Sequence, residues 1–440
     1  MEATPRETTE DVTCLACGCL CDDLRIKTEN GRLFEADAAC EIGRKWFSES
    51  FETDRGPVAT IEGSPVNSKN AIERAAAIFG EARYPVVFGM TMTVTESVRE
   101  AIHFARRIGA RVVLNRSAKE LRRVSGYQNQ GRVSATLGEV KGRADVVVFW
   151  RCDPVRTHPR HFERYSVEPR GRFVPGGRKD RFVIVVDAEE TQTAEAADLF
   201  VPLRIDQDLE ALTVLRSLIL GRSIGSTFRT ERHGLDLEKL KTLAAHLKRA
   251  RYGAFFHDES ESMTGRGGSI FEAGAKLVRE LNEFTRFVML GMGRRGNLAG
   301  AEAALTWQTG FLQGAEFRAG TAHPSDSFPT LDELLMSGEP DAILCYSDEL
   351  PADLSPRALA HLLSIPRVAI GPDVTRPGRL ATSVALATTT PGIHSGGTVI
   401  RVDGVGIPLR PSAKSRLPED RDWLRQILEI LRANEGLFEI

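Results

Sequence analysis

The chain has 440 residues, of which 42% are hydrophobic and 27% charged, and its formal net charge is −2. This length is too great for one small core and suggests two or three lobes. The small net charge provides no bulk field for nucleic acid or an anionic membrane, and no apolar run is long enough to cross a bilayer. The first residues lack the charged-then-apolar pattern of a signal peptide. We therefore expect a cytoplasmic protein that binds neither nucleic acid nor membrane.

Five of the seven cysteines lie within the first forty residues, so residues 1–56 are predicted to form a small cysteine-bearing lobe. In a reducing cytoplasm such crowding indicates a metal site rather than disulfides. Cys14, Cys17 and Cys21, with Cys40 downstream, have the spacing of thiolates that share an iron–sulfur cluster. A zinc site is the alternative, and four free buried cysteines are the third possibility. Cys19 is not predicted to be a ligand.

The rest of the chain alternates predicted strands and helices. Near-continuous β-branched runs at 144–150 and 181–187 are typical of strands buried on both faces of a parallel sheet. An amphipathic helix is predicted at 95–108, and apolar residues at helical spacing predict another at 419–433. Strands alternating with helices indicate βαβ units and an α/β architecture. Cys152 and Cys345 fall at or within predicted strands, where core packing explains them.

Several segments along the chain carry distinctive motifs. The first are CLACGCLCDDL at 14–24 and the AC-x-x-G of 39–43. TLGEVKGRAD at 136–145 and HPRHFERY at 158–165 follow. The last are NLAGAEAALTWQTG at 297–310 and GIHSGGTVIRVDGVGI at 392–407. Together these segments resemble the B-type subunit of formylmethanofuran dehydrogenase, a family within the molybdopterin oxidoreductases, and they cover nearly the whole chain in the order that the family shows.

The resemblance implies an α/β scaffold like that of formate dehydrogenase and DMSO reductase, with a cysteine-rich N-terminal lobe and without the C-terminal barrel domain. We expect residues 57–135 and 250–410 to share one α/β domain. Residues 136–249 would form a second α/β domain inserted between them. Residues 411–440 would form a helical tail.

The resemblance also implies two cofactors. One is a [4Fe–4S] cluster held by Cys14, Cys17, Cys21 and Cys40. The other is a tungsten or molybdenum bis-pterin, whose metal is bound by a cysteine or selenocysteine in a CHGP-like motif. The corresponding stretch here is NRSAKELRRVSG at 115–126, where the ligand position falls on Lys119 or Glu120. No cysteine occurs between Cys40 and Cys152. A soft metal centre favours thiolate or selenolate ligands, so we expect the metallopterin to be absent.

The remaining candidate residues would line a vestigial pterin groove. Arginine suits phosphate, formate or carbonate-like anions, and the carboxyl end of a strand is where α/β folds bind ligands. Each candidate also has a structural explanation, as a loop or subunit contact, a strand-to-helix turn, or a glycine needed for close backbone packing. These residues are His158, Arg160, His161, Arg164, Asp187, Asn297, Gly300, Gly396 and Gly397.

Three functions are compatible with the sequence. A second version of this subunit belongs to the formyltransferase/hydrolase complex, which releases formate from a methanofuran-type carrier in one-carbon metabolism. The missing cysteine favours this version, in which the chain is a non-redox scaffold bound to subunits of the A, C and D types. The alternative is an active tungsten- or molybdenum-dependent dehydrogenase that interconverts CO2 and formate. A free-standing iron–sulfur electron carrier is the third, and it does not explain the long α/β scaffold.

Overall fold

The computed structural model describes residues 6–116, 126–222, 234–258, 267–312, 314–324, 330–347, 350–351, 354–378 and 381–434. Lys119 and Glu120, the predicted metal-ligand position, lie outside these residues.

The N-terminal lobe is a three-stranded antiparallel sheet followed by a helix. Its strands β1 (Arg6–Val12), β2 (Leu24–Glu29) and β3 (Arg32–Asp37) pair in sequence order, and α1 (Glu41–Ser50) follows. Asn30 and Gly31 join β2 to β3 with positive φ angles of 53° and 72°. This pair of left-handed residues matches the right-handed twist of a hairpin, and Asn-Gly is a pair that adopts such turns readily.

A nine-stranded mixed sheet forms the largest layer of the described residues. Its strand order is β14-β13-β7-β6-β15-β16-β17-β4-β5. The five central strands are parallel, and antiparallel strands close both edges. The strands are β4 (Ala59–Ile61), β5 (Ser64–Val66), β6 (Pro85–Gly89), β7 (Arg111–Leu114), β13 (Gly314–Arg318), β14 (Thr321–His323), β15 (Ala342–Tyr346), β16 (Arg367–Gly371) and β17 (Val384–Ala387).

A five-stranded parallel sheet forms the second α/β unit, in the order β10-β9-β8-β11-β12. Its strands are β8 (Val146–Trp150), β9 (Phe182–Asp187), β10 (Leu199–Pro202), β11 (Gly253–Asp258) and β12 (Phe287–Met292). The expected boundary at residue 250 assigned β11 and β12 to the other sheet. Instead, β11 pairs with β8 and carries β12 beside it. The second unit therefore reaches to about the end of β12, because pairing partners depend on long-range packing that a local pattern does not encode.

Helices cover both faces of both sheets. The predicted helix at 95–108 is confirmed as α3, and its apolar positions Val98, Ile102 and Ala105 are buried in the core. The helices after α1 are α2 (Ser68–Glu81), α3 (Thr95–Ile108), α4 (Leu137–Arg143), α5 (Pro154–Thr157), α6 (Gln192–Glu195), α7 (Asp208–Ile219), α8 (Leu237–Arg249), α9 (Gly267–Leu281), α10 (Leu298–Thr309), α11 (Leu331–Ser337), α12 (Pro356–Ser364) and α13 (Asp420–Asn434).

The cores of the two sheets explain how the N-terminal lobe is attached. One face of the five-stranded sheet packs against α7, α8 and α9. The other face packs against the N-terminal lobe, including Cys14, Cys21 and Phe47. Cys152 is buried in that same core, and Cys345 is buried in the nine-stranded sheet, as predicted. A hairpin of β18 (Gly397–Ile400) and β19 (Gly406–Leu409) packs on Leu15 and Leu20 of the lobe.

Candidate functional site

The segment 13–23, which we call the cysteine loop, connects β1 to β2. The loop is closed by a hydrogen bond from the Cys14 N–H to the Cys21 carbonyl at 2.9 Å. Cys40 occupies the N-cap position of α1, so its side chain lies at the start of that helix. Cys14 and Cys21 are buried, whereas Cys17 and Cys40 are partly exposed.

A glycine marks the space between two of these thiols. A Cβ placed on Gly43 would lie 3.3 Å from the Cys14 Sγ and 3.8 Å from the Cys40 Sγ. Cys14 and Cys40, far apart in the sequence, therefore approach the same point on α1. The charges of Cys17, Cys21 and Cys40 all act on the Cys14 thiol. The fold thus gathers the four predicted cysteines into one neighbourhood.

The thiols differ in acidity. Burial raises the pKa of the Cys14 thiol well above its usual range, with small additions from the neighbouring cysteines. Hydrogen bonding to Cys17 and Cys21, together with burial, also raises the pKa of Cys19. The hydrogen bond from Cys19 lowers the pKa of Cys17. Cys19, which was not predicted as a ligand, therefore serves as a hydrogen-bond donor within the loop.

The donor set is four thiols, which is the set that holds [4Fe–4S] clusters. Within the described parts of the chain, no three His, Cys, Asp or Glu side chains converge closely enough to hold a single metal ion. A cluster occupies more volume than one ion, so its ligands stand further apart around it. The approach of Cys14 and Cys40 to Gly43 and the chemistry of the four thiols are both compatible with a cluster.

The two histidines of the HPRHFERY segment are buried and already hydrogen-bonded. The His158 Nε2 lies 2.8 Å from the Gly293 carbonyl, and its Nδ1 lies 2.9 Å from the Thr157 hydroxyl. The His161 Nδ1 lies 2.9 Å from the Ser166 hydroxyl. Burial, with smaller contributions from nearby positive groups, lowers the pKa of His161 to about 3. His161 is therefore a neutral imidazole within the core at physiological pH.

The two arginines of the segment contact the end of the cysteine loop. Arg160 donates two hydrogen bonds to the Asp23 carboxylate, at 2.7 and 2.8 Å. Arg164 donates to Asp22 at 2.6 Å and also forms an ion pair with Asp23. Burial opposes ionisation of Asp23, but the hydrogen bond from Arg160 and the charge of Arg164 outweigh it and hold the pKa of Asp23 below its usual value. Sequence reasoning missed this pairing, although the acidic pair directly after Cys21 was a signal for it.

Asp187 ends β9, and its carboxylate contacts a buried arginine. Arg151, directly after β8, lies 3.5 Å from the Asp187 carboxylate and 3.0 Å from that of Asp208. Trp150 donates to Asp208 at 2.7 Å, and the Arg204 carbonyl accepts from Arg151 at 2.7 Å. The strand order reverses between β8 and β11. Because Arg151 directly follows β8, this network lies at the carboxyl ends of the strands beside that reversal, where α/β folds bind ligands.

Asn297 joins three separate segments from the start of α10. Its side-chain amide donates to the Thr93 carbonyl at 2.9 Å, and its side-chain oxygen accepts from the Ile400 N–H at 2.8 Å. A Cβ on Gly300 would lie 2.1 Å from the Asn297 side chain, so only glycine leaves room for this amide. Gly397, with φ of 137°, packs against Val94, and Gly396 packs against the Leu409 carbonyl. Close packing accounts for all four of these predicted groove residues.

A cavity of about 220 Å³ lies between the cysteine loop, α10 and the β18 strand. Gly18, Leu20 and Ile400 contribute to its wall. Its lining also includes three arginines and one glutamate: Arg116, Arg132, Arg294 and Glu302. Arg116 is the last described residue before the segment that contains Lys119 and Glu120.

A much smaller cavity lies at the carboxyl ends of the central strands of the nine-stranded sheet. It has a volume of about 20 Å³, which is room for about one water molecule. Asp420, at the start of α13, is buried there and accepts hydrogen bonds from the Thr93 and Ser97 hydroxyls. Burial raises the pKa of Asp420, and the two hydroxyls only partly offset this effect. The C-terminal helix thus closes the crevice with its own carboxyl group.

Comparison with solved structures identifies proteins that share the fold. The formyltransferase/hydrolase complex FhcABCD from Methylorubrum extorquens, solved with methylofuran, contains a chain that matches with a TM-score of 0.70 and 23% identity, over 86% of this chain and all of that one. Acetylene hydratase from Pelobacter acetylenicus matches with a TM-score of 0.64 and 13% identity, over 97% of this chain and 70% of that one. The chain therefore shares the mixed α/β fold of these two proteins.

Comparison with curated proteins defines the family. The B subunit of the tungsten-containing formylmethanofuran dehydrogenase 2 from Methanocaldococcus jannaschii is 32% identical, with 96% of this chain and 97% of the relative covered. The Methanococcus maripaludis counterpart is 30% identical over 93% of this chain and 95% of its own length. The B subunit of the formyltransferase/hydrolase complex Fhc from Methylorubrum extorquens is 25% identical over 78% and 87%. The chain belongs to the family of formylmethanofuran dehydrogenase B subunits.

Two negative findings complete the comparison. No protein-family model matches the chain. Among the described residues, no helix combines the length and the apolar character needed to cross a membrane.

Proposed function

We propose that this chain is a non-redox scaffold subunit of a formyltransferase/hydrolase complex that releases formate from a methanofuran-type formyl carrier. The observation that carries the proposal is the lack of any cysteine between Cys40 and Cys152, where the family binds its catalytic metal. Neither Lys119 nor Glu120 supplies the soft ligand that a tungsten or molybdenum centre favours.

The carboxyl ends of the strands in the two sheets add support to this proposal. A bis-pterin would need room at the carboxyl ends of the strands, where the superfamily binds the pterin nucleotides. At the nine-stranded sheet the space is about 20 Å³, and two carboxyl groups, of Glu419 and Asp420, line it. Pterin phosphates would meet crowding at that edge. At the five-stranded sheet the Arg151–Asp208 pair occupies the equivalent position. The crowding at these strand ends supports the proposal that this chain carries no metallopterin, and no catalytic step is assigned to that group.

The cysteine site is a separate part of the proposal. Cys14, Cys17, Cys21 and Cys40 would hold a [4Fe–4S] cluster, whose chemistry when bound is one-electron transfer. Without a redox centre elsewhere in the chain, the cluster would act as a cross-link between the cysteine loop and α1. Metal binding to thiolates of this kind contributes directly to folding.

The proposed partners are the other subunits of the complex, of the A, C and D types. The basis is the name of the Methylorubrum extorquens relative, which is a subunit of the formyltransferase/hydrolase complex Fhc. In such a complex this chain would hold the transferase and hydrolase subunits at a fixed distance. Leaving this chain out of coexpression should then separate those two activities on size-exclusion chromatography.

An active dehydrogenase is the second candidate, because the more similar relatives, at 30% and 32% identity, are named as tungsten-containing. The test uses the intact complex, purified anaerobically and supplied with the formyl carrier. We expect formate release without any electron acceptor, and no stoichiometric tungsten or molybdenum by plasma mass spectrometry. Stoichiometric metal, with viologen reduction that disappears in Glu120→Ala but persists in the exposed control Glu283→Ala, would establish the dehydrogenase instead.

A further inference from the structure

The HPRHFERY segment contacts the cysteine loop at three points. Arg160 binds both oxygens of Asp23, and Arg164 binds Asp22, so two guanidinium groups meet the two residues that follow Cys21. The Tyr165 hydroxyl donates to the Cys19 carbonyl at 3.2 Å, inside the loop itself. The Arg160 contact bridges 137 positions of sequence, from the N-terminal lobe to the second α/β unit.

The surroundings make these contacts stronger than ordinary surface ion pairs. The arginine side chains are only 13% and 16% exposed, whereas the aspartates are about 40% exposed. Most exposed ion pairs contribute little to stability, but bidentate arginine–carboxylate pairs with restricted side chains are the exception. Arg401 donates to the Tyr165 hydroxyl at 3.2 Å and is itself paired with Asp403, which accepts from the Leu137 N–H at 2.7 Å. The Tyr165 hydroxyl is therefore fixed by Arg401 as well as by the Cys19 carbonyl.

We propose that Arg160, Arg164 and Tyr165 form a clamp that positions the cysteine loop to bind its metal cluster. The three are positioning residues, since none of them is a ligand. The guanidinium groups are occupied by carboxylates, so a phosphate or carboxylate ligand would have to displace Asp22 and Asp23 to reach them. The clamp rests on the cysteine site of the proposed function and does not depend on whether the complex performs redox chemistry.

The clamp acts through the geometry of the loop. Asp22 and Asp23 directly follow Cys21, so fixing their carboxylates fixes the backbone that carries the Cys21 thiol. The bond from Tyr165 to the Cys19 carbonyl restrains the same turn from within. Residues that orient metal ligands in this way typically change metal affinity by about 10- to 100-fold when they are replaced.

The test compares variants of the full-length protein with wild type. Each protein is purified in its complex and reconstituted anaerobically with iron and sulfide. The variants are Arg160→Ala with Arg164→Ala, and the conservative pair Arg160→Lys with Arg164→Lys, which keeps both charges and loses the bidentate geometry. The control is Arg178→Ala, because Arg178 forms a similar pair with Asp198 at 2.9 Å on the same unit but away from the cysteine loop. The readouts are iron content, the rate of iron loss to a chelator, and amide hydrogen exchange in the loop.

We expect the double alanine variant to lose iron about 10-fold faster or more, the double lysine variant to recover part of that loss, and the control to behave as wild type. If the wild type takes up no iron, amide exchange decides: exchange of the Cys14 and Leu20 N–H groups must be faster in the double alanine variant. Unchanged iron retention and unchanged loop exchange in the double alanine variant would overturn the clamp. So would pyrophosphate binding by the wild type that is lost in the double alanine variant.

Discussion

His161 shows how burial alone changes the chemistry of one side chain. Its ring packs edge-on against Phe256 and Tyr165, and its Nδ1 is bonded to Ser166. A protonated imidazole in this apolar setting would lack solvation, which is why its pKa falls to about 3. The resemblance suggested a groove residue, and the core position suggests a residue whose role is to remain neutral.

We predict that His161 makes the protein sensitive to acid. The unfolded chain takes up a proton at this histidine near pH 6.5, whereas the folded chain does so only near pH 3. Above pH 6.5 this histidine therefore does not lower the free energy of unfolding. As the pH drops below that value, the free energy of unfolding falls by up to about 1.4 kcal/mol per pH unit. Urea unfolding at about pH 7.5 and about pH 4.5, on either side of the unfolded pKa, should show a smaller pH effect in His161→Gln than in wild type.

The matched control for this experiment is the exposed His103, replaced by Gln. Its pH effect should equal that of the wild type, because other acid-sensitive groups are common to all three proteins. An equal acid sensitivity of His161→Gln and wild type would show that this imidazole does not contribute.

At the scale of elements, the C-terminal helix α13 is part of the core and also closes a crevice. Its apolar side packs on α2 and α3 through Trp423, Leu424 and Ile427, and its first residue closes the crevice beside Thr93. The sequence predicted the helix from the spacing of its apolar residues. The burial of its apolar side shows that it docks here.

We predict that Trp423→Ala destabilises the protein by about 3–5 kcal/mol, as replacing large buried aromatic residues does. Trp423 is 1% exposed, and its indole N–H donates to the Ala387 carbonyl at 2.9 Å, so the variant also removes that carbonyl's hydrogen bond from the indole. Equilibrium denaturation should show the loss, while Gln426→Ala on the exposed side of the same helix should stay within about 0.5 kcal/mol. A Trp423→Ala variant as stable as that control would mean that the helix is only weakly attached.

At the scale of the whole molecule, the N-terminal lobe and the five-stranded sheet meet at a backbone-to-backbone contact. A Cβ on Gly18 would lie 2.4 Å from the carbonyl carbon and oxygen of Gly293, which follows β12. The same Gly293 carbonyl lies 2.8 Å from the Nε2 of His158. The cysteine loop therefore joins the second α/β unit at a point with no room for a side chain.

We predict that Gly18→Ala pushes the Gly18 and Gly293 backbones apart. The free energy of unfolding should fall by about 1–3 kcal/mol, as it does when a tight site is overpacked. Thermal unfolding and limited proteolysis should show a lower midpoint and faster cleavage near the N-terminal lobe. Gly142→Ala is the control, because a Cβ there meets nothing within 4 Å and lies on helix α4. Equal midpoints for Gly18→Ala and the control would show that the two backbones can separate at little cost.

Much of this architecture was readable from sequence because it depends on local periodicity. The run VVVFW at 146–150 is buried at every position, and α3 has the predicted bounds, since apolar spacing follows the period of each element. The cysteines could likewise be grouped by spacing, because a short loop keeps its own thiols close together.

Tertiary structure decided what spacing does not encode. Strands β8 and β11 are both apolar runs, and only packing reveals that they pair with each other although β9 and β10 lie between them in the chain. The sequence alone gives no counter-ion for Arg160 or Arg164, and only the folded chain presents Asp22 and Asp23 to them. The reason is physical: periodicity is a property of neighbouring residues, whereas a strand's partner and an arginine's counter-ion are chosen by which surfaces the whole fold brings together.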